Sequence, residues 1–355
     1  MTSPVIILIL WLATCTLVIS DVEIVTEYET NTRNCRVDEL LPLDVSEHET
    51  ISPEWSDERT EAPYGCDCSY SRARYFCPTR GVQGYQTWVP RAVAEGECDS
   101  MTRSHLSDNP FPPNFRVLLY GNSFIRQVLE GMMCMFHDRV VEKKVKYYWP
   151  NSDREDEFHT VSSDTTCRGC SFEDKNTVID NGCISREEAE EGCGCTDNYG
   201  EFLFDNGAVV HYTMAGNEQN KSISDALKHH GDESWTHYDA VFANQGNSPY
   251  LSREEVLWTA GELQASSVPF FFLSSYWGHN GDVTFWEEDE KYIFEELGAK
   301  QVKINSMTHG IQDLTKGVVE NVNDPHFCLP GPPDEMALLL LKISWAVYFE
   351  DFEGV

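Results

Sequence analysis

The segment Arg116-Val117-Leu118-Leu119-Tyr120-Gly121-Asn122-Ser123-Phe124-Ile125-Arg126-Gln127 changes its hydrophobic period abruptly. Up to Tyr120 it is a short apolar run rich in strand formers. Beyond it, Val128, Leu129, Met132, Met133 and Met135 recur at helical spacing. The pattern predicts a strand, a sharp turn at Gly121 and a helix, with Ser123 about where the helix begins. Glycine permits the reversal because it has no Cβ to clash. A hydroxyl at that point would sit at the exposed end of a sheet, beside the positive end of a helix dipole. Ser123 therefore has two readings: a helix N-cap, for which serine is a preferred residue, or a nucleophile presented at a sheet edge.

The rest of the chain supplies partners for such a unit. Val141–Tyr148 predicts a second strand, and the run from Phe202 to Val210 predicts a hairpin turning at Asn206-Gly207. Tyr238–Ala243 reads as a strand ending in Asn244-Gln245-Gly246-Asn247, Val268–Leu273 as a fully apolar strand, and Gln301–Ile304 as another. Arg253–Ser266 and Trp286–Leu297 read as helices, and a last helix begins near Asp334. Its apolar run Ala337–Phe349 is interrupted by Lys342 and is short for a bilayer span, so it predicts a core helix. Strands alternating with helices predict an α/β fold, a parallel sheet with helices on both faces.

Three further stretches set the organisation. Residues 1–20 contain an uninterrupted apolar core, Val5–Ile19, which reads as a secretory signal peptide. A retained signal-anchor is the alternative, although the core falls short of the ~20 residues that a span needs. Residues 21–115 are polar, loop-rich and studded with Cys, Pro and Gly, and predict a segment wrapped around the main domain of residues 116–355. Residues 151–200 carry many acids and five cysteines with little periodicity, and read as an insertion within that domain. The chain has 13 cysteines; setting aside Cys15, in the leader, leaves 12. An even count behind a secretory signal implies disulfides. The competing use is zinc, since Cys167, Cys170, Cys193 and Cys195 could supply four thiolates. The sequon Asn220-Lys221-Ser222 fits a surface loop of a secreted protein. With 26 basic against 59 acidic residues the net charge is −33, which disfavours nucleic acid and anionic membrane as partners.

A second chemical signal lies near the end of the chain, in Asn323-Asp324-Pro325-His326-Phe327-Cys328-Leu329-Pro330-Gly331-Pro332-Pro333-Asp334. An acid and a histidine stand two residues apart in a proline-rich loop that leads into the final helix. A parallel sheet can bring that loop to the edge that presents Ser123, which would complete a Ser–His–Asp constellation. Histidine takes a serine proton near neutral pH, and a carboxylate fixes its tautomer. Asn244, at the end of its own strand, projects at the same edge, where a side-chain amide can donate to a developing oxyanion; the alternative is a turn asparagine.

These residues resemble a family. Gly121-Asn122-Ser123-Phe124-Ile125-Arg126-Gln127 with Leu129-Glu130-Gly131-Met132-Met133-Cys134 is similar to the Gly-Asp-Ser block of the PC-esterase group. That group includes the plant trichome-birefringence-like polysaccharide O-acetyltransferases, within the SGNH-hydrolase superfamily. Asn323–Asp334 is similar to its closing Asp-x-x-His-x-Cys-Leu-Pro-Gly-x-Pro-Asp block. Phe76-Cys77, Tyr85, Trp88, Pro90 and Cys98 loosely echo its cysteine- and tryptophan-containing segment, and Asp239–Gly246 its third block. The resemblance spans roughly Tyr75–Met336 and is dense only in the two end blocks. It implies a three-layer α/β/α, flavodoxin-like fold, with Ser123 as nucleophile, His326 as general base and Asn244 in the oxyanion hole. Arg126 would orient the loop or the sugar; a surface salt bridge is the plainer alternative. The chain departs from the family at Asn122 and at Asn323, where the family has aspartates. Orientation of the imidazole then falls either to Asp324, one place later, or to an uncharged Asn323, as an asparagine does in papain-like proteases.

The resemblance further implies a secretory-pathway enzyme, secreted or in the Golgi lumen, that moves acetyl groups on carbohydrate through an acyl-serine. An acetylesterase would use the same residues. No metal or organic cofactor is called for, although a transferase needs an acetyl donor. The expected partner is a carbohydrate or O-acetylated glycan, with a membrane involved only if the leader is an uncleaved anchor. Tyr250, Tyr276, Trp277 and Trp286 follow strand ends, where aromatics can stack on a sugar ring. Two rival readings remain: a catalytically inactive carbohydrate-binding member of the fold, and a cysteine-rich secreted structural protein.

Overall fold

The computed structural model describes residues 33–43, 51–61, 83–121, 123–146, 159–161, 199–214, 237–244, 261–262, 265, 267–274, 299–319 and 326–353. Residues Asn34–Val355 form one compact unit. Its first elements are α1 (Val37–Leu40), the antiparallel pair β1 (Trp55–Glu61) and β2 (Gln83–Trp88), and the short helices α2 (Arg91–Ala94) and α3 (Arg103–Asp108). Strand β3 (Arg116–Gly121) then leads into α4 (Ser123–Met135). There follow β4 (Val140–Lys146), β5 (His159–Val161), β6 (Tyr199–Phe204), β7 (Val209–Met214), β8 (Ala240–Asn244), β9 (Phe270–Leu273) and β10 (Lys300–Val302). Two short helices, α5 (Ile304–Thr308) and α6 (Lys316–Val319), precede the long closing helix α7 (Pro332–Glu353).

Among the described residues, eight strands form one sheet in the order β10-β9-β8-β3-β7-β6-β4-β5. The pairings from β10 to β7 are all parallel, which gives the α/β architecture its core. Side chains at alternate positions go to opposite faces. Val117, Leu119, Tyr212, Phe242 and Phe271 join the core that contains Ile125, Val128, Met132 of α4 and Met336, Leu340, Ile343 of α7. Their neighbours Leu118, Tyr120, Val241 and Phe272 are buried as well. Burial on both faces is what a parallel sheet requires, and it explains why these strands are continuous apolar runs rather than alternating ones. Of the helix expected over Arg253–Ser266, the described residues 261, 262 and 265 are helical; the one expected over Trp286–Leu297 lies outside the described residues.

The sheet is not parallel throughout. The hairpin at Asp205-Asn206-Gly207 forms as the sequence predicts, with Gly207 at φ 84° and the Asn206 carboxamide accepting the Ala208 N–H at 3.1 Å. A turn that short can join only antiparallel strands, so β6 reverses against β7. The strand expected at Val141–Tyr148 is β4, and it continues the reversal against β6. The strand expected to run on to Ile304 stops at Val302, because Ile304 opens α5. The Ser274 hydroxyl, from the loop after β9, accepts the Asn305 N–H at 2.9 Å and helps fix that helix start.

Helix α7 begins at Pro332, where the missing N–H costs nothing. Residues on all its sides are buried, including Ala337, Leu338, Leu339, Leu341, Ser344 and Val347, so it is the core helix that the sequence predicts. Lys342 is half-buried within it; burial lowers its pKa, and the charge of Glu335 acts against that lowering. Among the described residues no helix is long and apolar enough to cross a membrane.

The described part of the N-terminal segment is tied down at several points. Cys35 and Cys98 form a disulfide across 63 residues. The Trp55 indole N–H donates to the Met307 carbonyl at 2.6 Å, and the Val37 N–H to the Glu350 carboxylate at 2.8 Å. Glu335, in the first turn of α7, accepts hydrogen bonds from the Tyr85 hydroxyl, the Arg103 guanidinium and the Trp88 N–H. Cys134 and Cys328 are also in disulfides. The leader of residues 1–20, the sequon at Asn220, and the insertion cysteines Cys167, Cys170, Cys193 and Cys195 lie outside the described residues.

Candidate active site

The site is built where β3 ends. In the parallel register Gly121 lies beside Asn244, the last residue of β8, so the two strands finish together at one edge. A Cβ on Gly121 would come within 2.6 Å of both the Asn244 carbonyl oxygen and the Ile125 side chain. Only glycine lets the chain pass that close to β8 and turn at once into α4. Ser123 is the first residue of that helix and is half-buried. The serine thus stands where the change of period predicts it.

The histidine arrives from the opposite end of the sequence. His326 lies in the loop before α7, and its Nε2 is 2.8 Å from Ser123 Oγ, across 203 residues. That distance fits a hydroxyl donating to a neutral imidazole, the contact that a serine nucleophile makes with its base. His326 is 7% exposed, and the Phe124 ring lies against it with centroids 5.0 Å apart. The imidazole is therefore shielded on one side by the residue that follows the nucleophile. The histidine loop is itself anchored, since Phe327 bridges to Thr315 and the Cys328 N–H donates to the Leu314 carbonyl at 3.1 Å. The candidate orienting residues Asp324 and Asn323, and also Asn122, lie outside the described residues.

Asn244 is at the expected edge, but its amide is engaged elsewhere. Nδ2 donates to the Leu273 carbonyl at 3.0 Å and to the Ser274 carbonyl at 3.2 Å. Nδ2 thus joins the end of β8 to the end of β9. An oxyanion donor at this site would have to give up one of these bonds, whereas the first N–H groups of α4 have no acceptor within the helix.

Arg126 is not on the surface. It is 5% exposed, and its Nε lies 3.8 Å from Glu130 Oε1, one turn along α4. The surface salt bridge considered for it is instead a buried one, because both flanks of α4 are packed. Glu130 was not singled out by the sequence; the available signal was the i, i+4 pairing of opposite charges in an otherwise apolar helix. Gln127 was also passed over, although it is fully buried one turn after Ser123. Tyr250, Tyr276, Trp277 and Trp286 lie outside the described residues. Among the described residues no three His, Cys, Asp or Glu side chains converge as a metal site.

No family model matches the chain, and no curated protein matches it.

Proposed function

We propose that this protein is an SGNH-type serine acyltransferase or esterase of the secretory pathway that acts on O-acetyl groups of carbohydrate. The observation that carries the reading is the contact of 2.8 Å between Ser123 Oγ and His326 Nε2 at the edge of a parallel sheet. In the reaction, Oγ attacks the acetyl carbonyl while its proton passes to Nε2. The oxyanion that forms lies near the N-terminus of α4, where unsatisfied N–H groups and the helix dipole favour negative charge. Collapse of the intermediate breaks the bond to the leaving oxygen, which takes the proton from Nε2, and leaves acetyl-Ser123. A sugar hydroxyl or water then gives up its proton to His326 and attacks the acyl carbon, which regenerates the serine. The sugar hydroxyl makes the enzyme a transferase and water makes it an esterase; the resemblance in the two end blocks favours transfer. In this reading Asp324 or Asn323 orients the imidazole.

The engaged amide of Asn244 favours a second reading, a carbohydrate-binding member of the fold without turnover. A fluorophosphonate probe separates the two, because only an activated serine reacts with it. Peptide mapping should find the adduct on Ser123, and Ser123→Ala should abolish both labelling and deacetylation of an acetylated glycan. A wild-type protein that resists the probe would overturn the enzymatic reading.

A further inference from the structure

Gln127 is fully buried on α4, one turn after Ser123. Its Nε2 donates to the Phe327 carbonyl at 2.5 Å, and Phe327 is the residue joined to His326. Four residues of α-helix form a stiff unit of about 6 Å, so Ser123 Oγ and Gln127 Nε2 are two points on one rigid body. One point faces the imidazole and the other holds the backbone that carries the imidazole. Among the described residues, the Thr315 bridge and the Leu314 carbonyl tie that loop to the chain just before it, and the Phe124 ring lies against the imidazole itself rather than its backbone. Among the described residues, the Gln127 Oε1 has no hydrogen-bond partner. A methionine of similar volume would fill this space without burying an unsatisfied oxygen. What the amide provides, and an apolar side chain would not, is a fixed link between the two catalytic segments.

We infer that Gln127 is a positioning residue: its amide locks the His326 loop to the nucleophile helix and so sets the distance from Nε2 to Oγ. The inference rests on the acyl-transfer reading above. A misplacement of ~1 Å in a reacting geometry can cost about 100-fold in rate. Gln127→Met, which keeps the size and removes the donor, should therefore slow fluorophosphonate labelling of Ser123 by about 10- to 100-fold. The loss should fall in the limiting inactivation rate at saturating probe, with the half-saturating probe concentration unchanged. Thermal unfolding should show the variant folded.

Gln127→Glu supplies a second readout and serves if the methionine variant fails to fold. A protonated glutamic acid can donate to the Phe327 carbonyl, and an ionised one cannot. The wild-type rate should reach a plateau as the pH rises; the glutamate variant should lose that plateau as its carboxylic acid ionises. A purely structural role would lower the unfolding temperature without bending that pH profile. Wild-type protein that labels at Ser123, with Gln127→Met labelling within twofold of it and Gln127→Glu keeping the plateau, overturns this inference alone. Wild-type protein that does not label overturns both the inference and the acyl-transfer reading beneath it.

Discussion

Replacing Glu335 should release the N-terminal segment from α7. The carboxylate is 3% exposed and accepts from the Tyr85 hydroxyl, the Arg103 guanidinium and the Trp88 N–H, the last at 3.0 Å. In Glu335→Leu, the Tyr85 hydroxyl and the Trp88 N–H would stay buried without this acceptor, at about 1–3 kcal/mol each. The Arg103 side chain is 36% exposed and can turn to water, so its pairing adds no more than the ~0–1 kcal/mol of a surface ion pair. Leucine regains part of this as apolar packing, which leaves a net loss of about 1–5 kcal/mol. Glu335→Gln keeps an acceptor of the same size and should lose about 1–2 kcal/mol. Urea unfolding of the oxidised protein, followed by tryptophan fluorescence and extrapolated linearly, measures both. Tyr85 adds a pH signature. Burial first, and then the charges of Glu335 and Asp334, raise its pKa well above the ordinary value, with Arg103 opposing. The unfolded tyrosine ionises near 10 while the folded one stays protonated. The stabilisation is therefore complete below about pH 10 and is lost as the pH rises above it. Glu335→Leu should soften this alkaline loss without removing it, since burial remains; Tyr85→Phe should remove it. A Glu335→Leu protein within 1 kcal/mol of wild type would refute the reasoning.

Gly121→Ala should destabilise the protein by about 1–3 kcal/mol and slow probe labelling of Ser123, because its Cβ meets the Asn244 carbonyl oxygen at 2.6 Å and that oxygen cannot swing away; a variant with wild-type unfolding temperature and labelling rate would contradict the close approach. If Asp324 orients His326, Asp324→Asn should cut turnover by orders of magnitude, as a change of this kind costs ~10⁴-fold in a serine protease triad, and Asn323→Asp should do little. If Asn323 holds that place, Asn323→Asp should raise turnover, and turnover indifferent to both changes would remove the orienter from the proposal. Thiol titration of the unfolded, unreduced protein should find essentially no free cysteine beyond the leader, in keeping with the disulfides at Cys35, Cys98, Cys134 and Cys328; four free thiols with one zinc per chain would move Cys167, Cys170, Cys193 and Cys195 to a metal site.

The parts of the structure that were legible in the sequence are those set by local physics. The change of period at Gly121 is visible because strand and helix impose different spacings on the same apolar residues, and the turn at Asn206-Gly207 because few residues tolerate φ 84°. The meeting of Ser123 and His326 was readable only through topology, since parallel strands bring successive loops to one edge. The direction of β4 was not readable: its apolar residues look the same whichever way its neighbour runs. The fate of Ile304 was hidden because the Ser274 hydroxyl that engages the next N–H lies 31 residues away. Arg126, Glu130, Asp334 and Glu335 look like solvated charges in sequence and are buried, because their cover comes from elements distant in the chain. The hydrogen bonds of the Asn244 amide were hidden for a related reason, since its acceptors belong to the end of β9.

The clasp between Tyr85 and Glu335 spans 250 residues, and this bears on how the protein comes into being. A ribosome delivers the N-terminal segment first, yet Tyr85, Trp88 and Arg103 must wait for α7 before they meet their acceptor. Until then the apolar ground that α7 covers, on α4 and beneath β2, stays open to water and to other chains. Ser123 waits as well, because its histidine stands only six residues ahead of that helix. A nascent chain therefore stays sticky until α7 is made, and until shortly before that Ser123 lacks the imidazole that it meets in the fold.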